Sequence, residues 1–179
     1  MRLHASSSLL CVVDIQERLL AAMPDGPGVV AMATRLAEAA RLLGVRGILC
    51  EQYPQGLGPT PADLAGRLPP AIPKTAFSCR GCEAFAAAVP ADTESVLLCG
   101  LETHVCILQT ALDLLADGLM VFVAVDAVAS RRPLDHEYGL RRLEASGALL
   151  TTSEAVLFEW CRSADNPQFQ AVRRLVVAR

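Results

Sequence analysis

The stretch SVLLCGLETHVCILQTALDLL, Ser95 to Leu115, passes from a short apolar run through Gly100 into a longer segment with helical periodicity. A short run of consecutive apolar residues is typical of a buried strand, and apolar residues at spacings of three and four predict a helix. We therefore predict a strand over SVLLCG and a helix from Thr103 to Ala116. The stretch predicts one strand–helix unit.

The same alternation continues on both sides of this unit. Apolar runs that resemble strands alternate with helical segments, which is typical of a parallel sheet covered by helices on both faces. No linker, internal repeat or low-complexity segment interrupts the pattern, so we predict a single α/β domain over residues 1–179. The other predicted strands are SLLCVVD, VRGILCE, AIPKTAFS, LMVFVAVD and ALLTT, and the other predicted helices are Val29–Leu43, Cys82–Ala88, Pro133–Ser146, a segment opened by Ser153 and Glu154, and the tail PQFQAVRRLVVAR.

Composition and charge argue against several classes of partner. The 179 residues carry a formal net charge of −3, and no basic cluster is larger than Arg131–Arg132 or Arg173–Arg174, so we expect no nucleic-acid partner. No segment has the roughly 20 consecutive apolar residues that cross a membrane, and the N-terminal segment does not look like a signal peptide. The seven cysteines lie mostly within apolar runs and indicate buried free thiols, so we expect a cytoplasmic protein.

Polar side chains follow several of the predicted strands. In parallel sheets the ligand crevice lies at the carboxyl ends of the strands, so residues at those ends are expected to converge on one edge. No G-x-G-x-x-G or Walker A sequence is present, which leaves nucleotide binding with little support. The residues at the predicted strand ends are Asp14, Glu51, Gln52, Lys74, Cys106 and Asp126.

Asp14, Lys74 and Cys106 can act as a chemical unit. A helix start lowers a thiol's pKa, so with Thr103 as the N-cap we expect the Cys106 thiol to ionise readily. A carboxylate can accept the thiol proton, and an ammonium group can stabilise the charged state. Each residue also has a structural explanation: a small core side chain for Cys106, a helix cap for Asp14 and a solvated cation for Lys74, the only lysine in the chain.

Six segments carry a family resemblance and cover nearly the whole chain in order. They are CVVDIQERLL, CEQYPQGLGPT, KTAFSC, GLETHVCILQTALDLL, VAVDAVASR and TTSEAVLFEW. They resemble the isochorismatase-like cysteine hydrolase superfamily, which includes nicotinamidases and N-carbamoylsarcosine amidohydrolase, and above all its small isochorismatase-domain proteins. The resemblance assigns the family's catalytic aspartate, lysine and cysteine to Asp14, Lys74 and Cys106.

The resemblance also implies a fold, an assembly and an oxyanion hole. The implied fold is a Rossmann-like three-layer α/β/α sandwich with a six-stranded parallel sheet. The implied assembly is a homo-oligomer, dimer or larger, and the apolar segments AVLFEWC and AVRRLVV near the C-terminus suggest a subunit contact. The family has a non-proline cis peptide, here Leu101–Glu102, and its oxyanion hole falls on the backbone N–H groups of Glu102 and Cys106.

Two departures from the family pattern narrow the activity. Nicotinamidases hold a metal with an aspartate and histidines after the second strand, whereas CEQYPQGLGPT contains no histidine, and His4, His104 and His136 are widely scattered. We therefore expect no metal ligands and no cofactor. True isochorismatases generally lack the nucleophilic cysteine. Retention of Cys106 favours hydrolysis of a C–N bond in a small amide or carbamoyl substrate through a thioester.

Four further side chains are candidates to line the substrate pocket, although each has an equally good explanation as a loop or cap residue. They are Gln16, Gln52, Tyr53 and His104.

Two other functions stay open from the sequence alone. The segment CRGC, Cys79 to Cys82, has the spacing of a redox pair, which an accidental spacing explains better, and a zinc site would need two more ligands. A chain of this family can also act as a non-catalytic binding or scaffold protein. Thiol reactivity discriminates here, because a depressed Cys106 pKa and fast alkylation favour the enzyme.

Overall fold

The strand predicted within Ser95–Leu115 lies near the centre of a six-stranded parallel sheet in the computed structural model, which describes residues 1–177. The strand order is β3-β2-β1-β4-β5-β6, and every paired neighbour is parallel. The predicted six-stranded parallel sheet is therefore confirmed. The strands are β1 Ser8–Val13, β2 Arg46–Gln52, β3 Ile72–Lys74, β4 Ser95–Leu101, β5 Met120–Ala129 and β6 Leu149–Thr151.

Helices cover both faces of this sheet and connect its strands. Within residues 1–177, none of them combines the length and the hydropathy that crossing a lipid bilayer would require. Short 3-10 turns occupy Ala5–Ser7 and Cys79–Gly81, and a π-helical turn occupies Thr103–Ile107. The α-helices are α1 Glu17–Leu20, α2 Gly26–Leu43, α3 Pro54–Leu57, α4 Ala62–Ala65, α5 Glu83–Ala88, α6 Leu108–Ala116, α7 Pro133–Ala145, α8 Ser153–Cys161 and α9 Phe169–Val177.

Alternation along the central strands divides the core into two layers. On β1, Leu10 and Val12 belong to the apolar cluster packed with α2, α8 and α9. Leu9, Cys11 and Val13 belong to the cluster on the opposite face, together with α5, α6 and α7. Successive side chains of a strand point to opposite faces, so the unbroken apolar sequence of β1 supplies both layers.

The structure differs from the predicted elements at several boundaries. Helix α2 begins at Gly26 rather than Val29, because the Asp25 side chain accepts from Gly28 N and caps the earlier start. Strand β5 continues to Ala129, past a shift in its pairing with β4. The segment QYPQGLGPTPADL at the end of β2, whose prolines and glycines predict a loop, contains the short helix α3 and the start of α4. The predicted tail helix is present up to Val177, and its last two residues lie outside the described residues.

Glycine is required where β4 runs beside the end of β1. Gly100 has a φ of +127°, a conformation that residues other than glycine rarely adopt. A Cβ added there would collide with the carbonyl oxygen of Val13. The close approach brings the carboxyl ends of β1 and β4 together, and both ends carry candidate site residues.

Candidate active site

The candidate site lies where the strand order reverses. Strands β1 and β4 are neighbours, and the chain builds outward from them in opposite directions. In such sheets the ligand crevice lies beyond the carboxyl ends of these two strands. Asp14 directly follows β1, Lys74 ends β3, and Cys106 lies in the π-helical turn that follows β4. The fold therefore gathers the three predicted residues at one edge.

A buried ion pair forms the base of the site. Lys74 Nζ donates to Asp14 Oδ2 at 2.8 Å, and both side chains are 0% exposed. Nζ also donates to Gln52 Oε1 at 2.7 Å and to the carbonyl oxygens of Ala76 at 3.3 Å and Phe77 at 3.1 Å. A buried charge is tolerated when it is paired and fully hydrogen-bonded, and this ammonium meets both conditions. Burial is the largest single influence and lowers the pKa of Lys74, but the attraction of Asp14 together with those of Cys79 and Cys106 outweighs burial, so the pKa is raised.

Asp14 keeps one carboxylate oxygen unpaired. Its Oδ1 is buried and has no partner at hydrogen-bonding geometry within residues 1–177. The backbone φ of +54° is in the left-handed region, a sparsely populated conformation that is enriched at functional sites. Burial raises the pKa of Asp14 to about 6, against the opposing effect of Lys74. At neutral pH the carboxylate is therefore ionised and has an oxygen free to accept a proton.

Cys106 is a buried thiol beside this carboxylate, and its side chain and that of Asp14 shift one another's pKa. Burial, followed by the charge of Asp14, raises the pKa of the Cys106 thiol. The prediction of a lowered pKa is wrong, because the sequence does not reveal how deeply the sulfur is buried. The resting thiol is protonated, so a thiolate requires transfer of its proton during the reaction.

The local helix geometry also differs from the prediction. Thr103 is not an N-cap: the wide turn Thr103–Ile107 starts after Glu102, whose carbonyl oxygen accepts from Val105 N and Ile107 N. The Thr103 hydroxyl is instead 2.9 Å from His136 Nδ1 on α7. Regular α-helix begins only at Leu108. Cys106 therefore lies in an irregular turn before α6 rather than in the helix's first turn.

The Leu101–Glu102 peptide bond, which precedes this turn, is cis. This is the bond at which the resemblance implies a cis peptide. The Glu102 carboxylate is almost fully buried and accepts from the backbone N of Arg131 at 2.9 Å and from its Nε at 3.1 Å. The ion pair fixes the Glu102 side chain on the segment after β5. The backbone N–H groups of Glu102 and Cys106 belong to the two ends of the intervening turn.

Gln16 and Gln52 connect the loop ends around the ion pair. Gln16 is fully buried, donates from Nε2 to the carbonyl oxygens of Gln52 at 3.0 Å and Gly58 at 2.7 Å, and accepts from Gln52 N at 2.8 Å. Gln52 accepts from Lys74 and donates from Nε2 to Thr75 O at 2.7 Å. The amide of Gln16 is engaged by backbone groups, which favours a positioning role.

Tyr53 and His104 lie on different sides of the site. Tyr53 is 56% exposed and borders a cavity of about 360 Å³, together with Lys74 and Cys82. His104 does not border this cavity: its Nδ1 is 2.9 Å from Ser130 Oγ, and its Nε2 is 3.9 Å from an Asp135 carboxylate oxygen. The cavity therefore gives access to the Lys74 side of the site.

Two of the strand-end carboxylates have structural roles instead. Glu51 accepts from Thr60 N at 2.7 Å and holds the loop after β2. Asp126 accepts from Ser153 N at 2.8 Å at the start of α8. The prediction that Asp126 ends β5 at the site is wrong, because the pairing between β4 and β5 shifts and β5 continues past it.

Known proteins with similar sequence and structure point to one family. The sequence profile of the isochorismatase domain matches residues 8–155. Isochorismatase domain-containing protein 2A of Mus musculus is 41% identical over 175 residues, which cover 98% of this chain and 85% of that protein. The solved structure of MAR1 ribonuclease from Caenorhabditis elegans is 38% identical with a TM-score of 0.94, over 99% of this chain and 93% of that one. YcaC from Pseudomonas aeruginosa, solved with hexane-2,5-diol and covalent acrylamide, is 26% identical with a TM-score of 0.89, over 98% and 92% of the two chains.

Proposed function

This chain belongs to the isochorismatase family, and from that premise we propose that it is a cysteine hydrolase that cleaves a C–N bond of a small amide or carbamoyl substrate. Cys106 is the nucleophile, Asp14 accepts its proton, and Lys74 holds the carboxylate in its charged state. One observation carries the proposal: the buried Lys74–Asp14 pair leaves Asp14 Oδ1 unpartnered, and the Asp14 carboxylate is close enough to Cys106 for the two side chains to shift each other's pKa.

Proton transfer and attack occur together in the first step. Asp14 Oδ1 takes the thiol proton while the Cys106 sulfur forms a bond to the substrate carbonyl carbon. The raised pKa of the thiol fits this order, because the sulfur becomes a strong nucleophile only as the proton leaves. Lys74 opposes the cost of burying the Asp14 charge, so the carboxylate is ready before the substrate arrives.

The carbonyl oxygen becomes an oxyanion and accepts hydrogen bonds from the backbone N–H groups of Glu102 and Cys106. Asp14 then donates its proton to the departing nitrogen, and the C–N bond breaks to leave a thioester on Cys106. Water attacks the thioester as Asp14 accepts a proton from it, and that proton returns to the sulfur when the acid leaves. The cycle consumes one water and needs no cofactor.

The remaining candidates take subsidiary roles in this proposal. Tyr53 lies at the mouth of the cavity of about 360 Å³, where it can contact substrate. Gln52 orients the Lys74 ammonium and Gln16 holds the loop to β2, so they act through other residues. We assign His104 to the opposite wall of the pocket, on the turn that carries Cys106.

Acrylamide labelling tests the nucleophile. Acrylamide is a small amide that alkylates thiols, and Cys82 is the one thiol among residues 1–177 that is not buried, so its reaction has to be removed first. In a Cys82→Ala background we expect one adduct, mapped to Cys106 by peptide mass spectrometry and absent from Cys82→Ala/Cys106→Ala. Equal labelling of both proteins would remove Cys106 from the role of nucleophile.

A substrate screen separates the enzyme from a scaffold. We expect hydrolysis of at least one member of a panel of small amides, carbamoyl compounds and esters by the wild type, and none by Cys106→Ala. A slow reaction with alkylating agents does not indicate a scaffold, because the Cys106 pKa is raised in the resting protein. Turnover of no compound, with normal folding, would favour the scaffold.

Hydrolysis of RNA is a second candidate. It is favoured by the name of the C. elegans protein, a MAR1 ribonuclease at 38% identity. The net charge of −3 offers little attraction for a polyanion. Cleavage of single-stranded RNA by the wild type that is lost in both Cys106→Ala and Asp14→Asn would replace the amide proposal with this one.

We also propose that the chain forms a homo-oligomer, dimer or larger. The apolar segments near the C-terminus are weaker support than the sequence suggested, because Val156, Leu157 and Trp160 of α8 are buried within the subunit itself. Phe158 remains 40% exposed and is available to a partner. Light scattering coupled to size-exclusion chromatography measures the mass directly, and a monomer at every concentration would contradict the proposal.

A further inference from the structure

Three buried thiols meet on the sheet face that also carries Cys106. Cys11 lies on β1, Cys50 on β2 and Cys79 in the 3-10 turn that follows β3. Their Sγ atoms all lie within 4.8 Å of one another, and each residue is 0% exposed. We call Cys11, Cys50 and Cys79 the thiol cluster. The proposed hydrolytic mechanism uses none of them.

The strand register excludes a disulfide between the two strand thiols. Cys11 is paired with Ile48 and Cys50 with Val13, so the two cysteines are offset by two residues on neighbouring strands. With strands about 4.8 Å apart and a rise of about 3.3 Å per residue, their Cα atoms are roughly 8 Å apart. A disulfide needs a Cα separation below about 7 Å. The two sulfurs therefore face one another across a gap that a covalent bond cannot close.

A bound metal ion can bridge sulfur atoms that are too far apart for a disulfide bond. Sulfur ligands lie about 2.3 Å from a thiophilic metal, which places three sulfurs around one ion roughly 4 Å apart. Side-chain rotations that move each sulfur by less than about 1 Å bring the thiol cluster to this spacing. We propose that Cys11, Cys50 and Cys79 form a three-coordinate site for monovalent copper.

The donor set favours copper(I) over zinc. Thiolates are soft ligands that bind both Cu(I) and zinc. Structural zinc is almost always bound by four ligands, whereas this site offers three. No histidine, aspartate, glutamate or further cysteine joins the group within the part of the chain that the structure describes. The cluster also belongs to the apolar core that includes Val13 and Phe85, where a water ligand is disfavoured.

Binding exchanges protons for the ion and involves no redox step. Each sulfur forms a bond to Cu(I) as its S–H bond breaks, and the three protons leave to solvent. The site with its ion carries two negative charges, which Lys74, close enough to act electrostatically on Cys79, partly offsets. Thr110 Oγ1 accepts from Cys79 N at 2.9 Å and fixes the turn that supplies the third ligand.

The ion has a route to the cluster. The turn that carries Cys79 continues into Gly81 and Cys82, and both border the cavity of about 360 Å³ beside Lys74. Cys79 lies in this turn and not on a strand, so opening of the turn would expose it. The two cysteines of the CRGC segment therefore have different surroundings. Cys79 belongs to the thiol cluster, whereas the Cys82 sulfur lies 3.9 Å from Pro73 O.

Anaerobic titration of the full chain with Cu(I), in competition with bathocuproine disulfonate, tests the proposal. We expect one copper per chain in the wild type and none in Cys11→Ala, Cys50→Ala or Cys79→Ala. Cys99→Ala is the matched control, because Cys99 is equally buried on β4 but belongs to the core of the opposite face. It should retain one copper, as should Cys106→Ala, so failure of the hydrolase proposal leaves this result unaffected.

X-ray absorption of the copper-loaded wild type decides the matter without any variant, and circular dichroism checks that each variant folds. Three sulfur scatterers and no nitrogen or oxygen support the proposed site. Absence of copper uptake, or uptake that survives all three substitutions, overturns the proposal. Tighter binding of zinc with a nitrogen or oxygen ligand in its absorption spectrum overturns the choice of ion.

Discussion

Two groups of side chains lie close together near the carboxyl ends of the central strands, and they differ in almost every physical respect. Asp14, Lys74 and Cys106 form the site at the carboxyl edge of the sheet, and Lys74 borders the cavity of about 360 Å³. The thiol cluster lies close behind this edge: Cys50 is paired with the residue directly before Asp14, and Cys11 is three residues before Asp14 on β1. One group combines opposite charges, whereas the other consists of three cysteine side chains. Both groups are buried, but only the first includes a residue, Lys74, that borders this cavity.

The two groups also differ in what holds them. The ion pair is stable only because Lys74 has four acceptors and Asp14 faces a cation, so loss of either partner leaves a buried charge. A thiol is a small, weakly polar core side chain that needs no partner. We expect substitutions in the ion pair to lower the free energy of unfolding strongly with or without metal. Substitutions in the thiol cluster should lower it only slightly when metal is absent.

Asp14→Asn should have the largest effect on activity. An amide cannot take the Cys106 proton, so we expect acyl-enzyme formation to slow by about 10²- to 10⁴-fold, the usual contribution of a general base. Stopped-flow or quenched-flow mass spectrometry with the best substrate from the screen measures this rate. Copper stoichiometry should stay at one per chain.

Glu51→Gln is the matched control for Asp14→Asn. Glu51 is also a carboxylate at the end of a predicted strand, but it accepts a hydrogen bond from the backbone N–H of Thr60 in the loop after β2. We expect near-normal acylation in this variant. An equal loss in the two variants would mean that the edge as a whole, and not the base, had been damaged.

Lys74→Met should give the largest loss of stability. The substitution leaves the Asp14 charge buried without its cation, and breaking a buried pair in this way costs about 3–5 kcal/mol. Urea denaturation at neutral pH measures the change in the free energy of unfolding. Removal of a surface cation, as in Arg41→Met, should change it far less, because Arg41 pairs with Glu38 in solvent.

A double variant sharpens this prediction. Lys74→Met in an Asp14→Asn background should lose less stability than Lys74→Met alone, because no carboxylate charge remains to be stranded. Additive losses would show that the two side chains stabilise the fold independently, which would contradict the role of Lys74 as the counter-ion of Asp14.

The sequence predicted the sheet and the edge because both follow from patterns. Apolar strands alternating with helices require a covered parallel sheet, and the residues that follow such strands converge whatever the loops do. Asp14, Lys74 and Cys106 were found in this way. The pattern gave a wrong prediction for Asp126, which was expected to end β5. The amino-acid sequence does not reveal the shift in pairing between β4 and β5, and β5 continues past this residue.

The sequence could not predict what depends on burial and register. The pKa of Cys106 follows from the depth of its sulfur, which only the packed turn Thr103–Ile107 determines. The thiol cluster was missed for a similar reason. Alternation does place Cys11 on one face with Leu9 and Val13, but its distance from Cys50 depends on the register of β1 against β2. Cys79 joins them through a turn with no periodic signal.

Cys50→Ala should show the mild behaviour of the thiol cluster. In metal-free protein the loss of one buried sulfur leaves a small void, for which we expect a cost of about 1 kcal/mol. Cys99→Ala on the other face should cost a similar amount. Added Cu(I) should raise the melting temperature of wild type and Cys99→Ala but not that of Cys50→Ala, since only binding to the folded state stabilises it. Thermal unfolding followed by circular dichroism measures all three.

His136 tests whether the turn that carries Cys106 has a pH dependence that is separate from both groups. Burial lowers the pKa of His136 below its ordinary value of 6.5, and its Nδ1 is 2.9 Å from the Thr103 hydroxyl. Asp135 precedes it on α7, and one of its carboxylate oxygens is 3.9 Å from His104 Nε2. The imidazole is therefore neutral in the folded protein at pH 7.

The sign of the effect follows from linkage. As pH falls below 6.5, the unfolded chain takes up a proton at His136 before the folded one does, so the free energy of unfolding decreases toward acid pH. Partial exposure screens the effect, and we expect the smallest change of the series. His136→Gln keeps a hydrogen-bonding side chain without the titration, so its stability should fall less between pH 7.5 and pH 5.5 than that of the wild type. Asp135→Asn controls for the neighbouring carboxylate and should retain the wild-type slope. Identical slopes for wild type and His136→Gln would assign the acid sensitivity of the turn to another group.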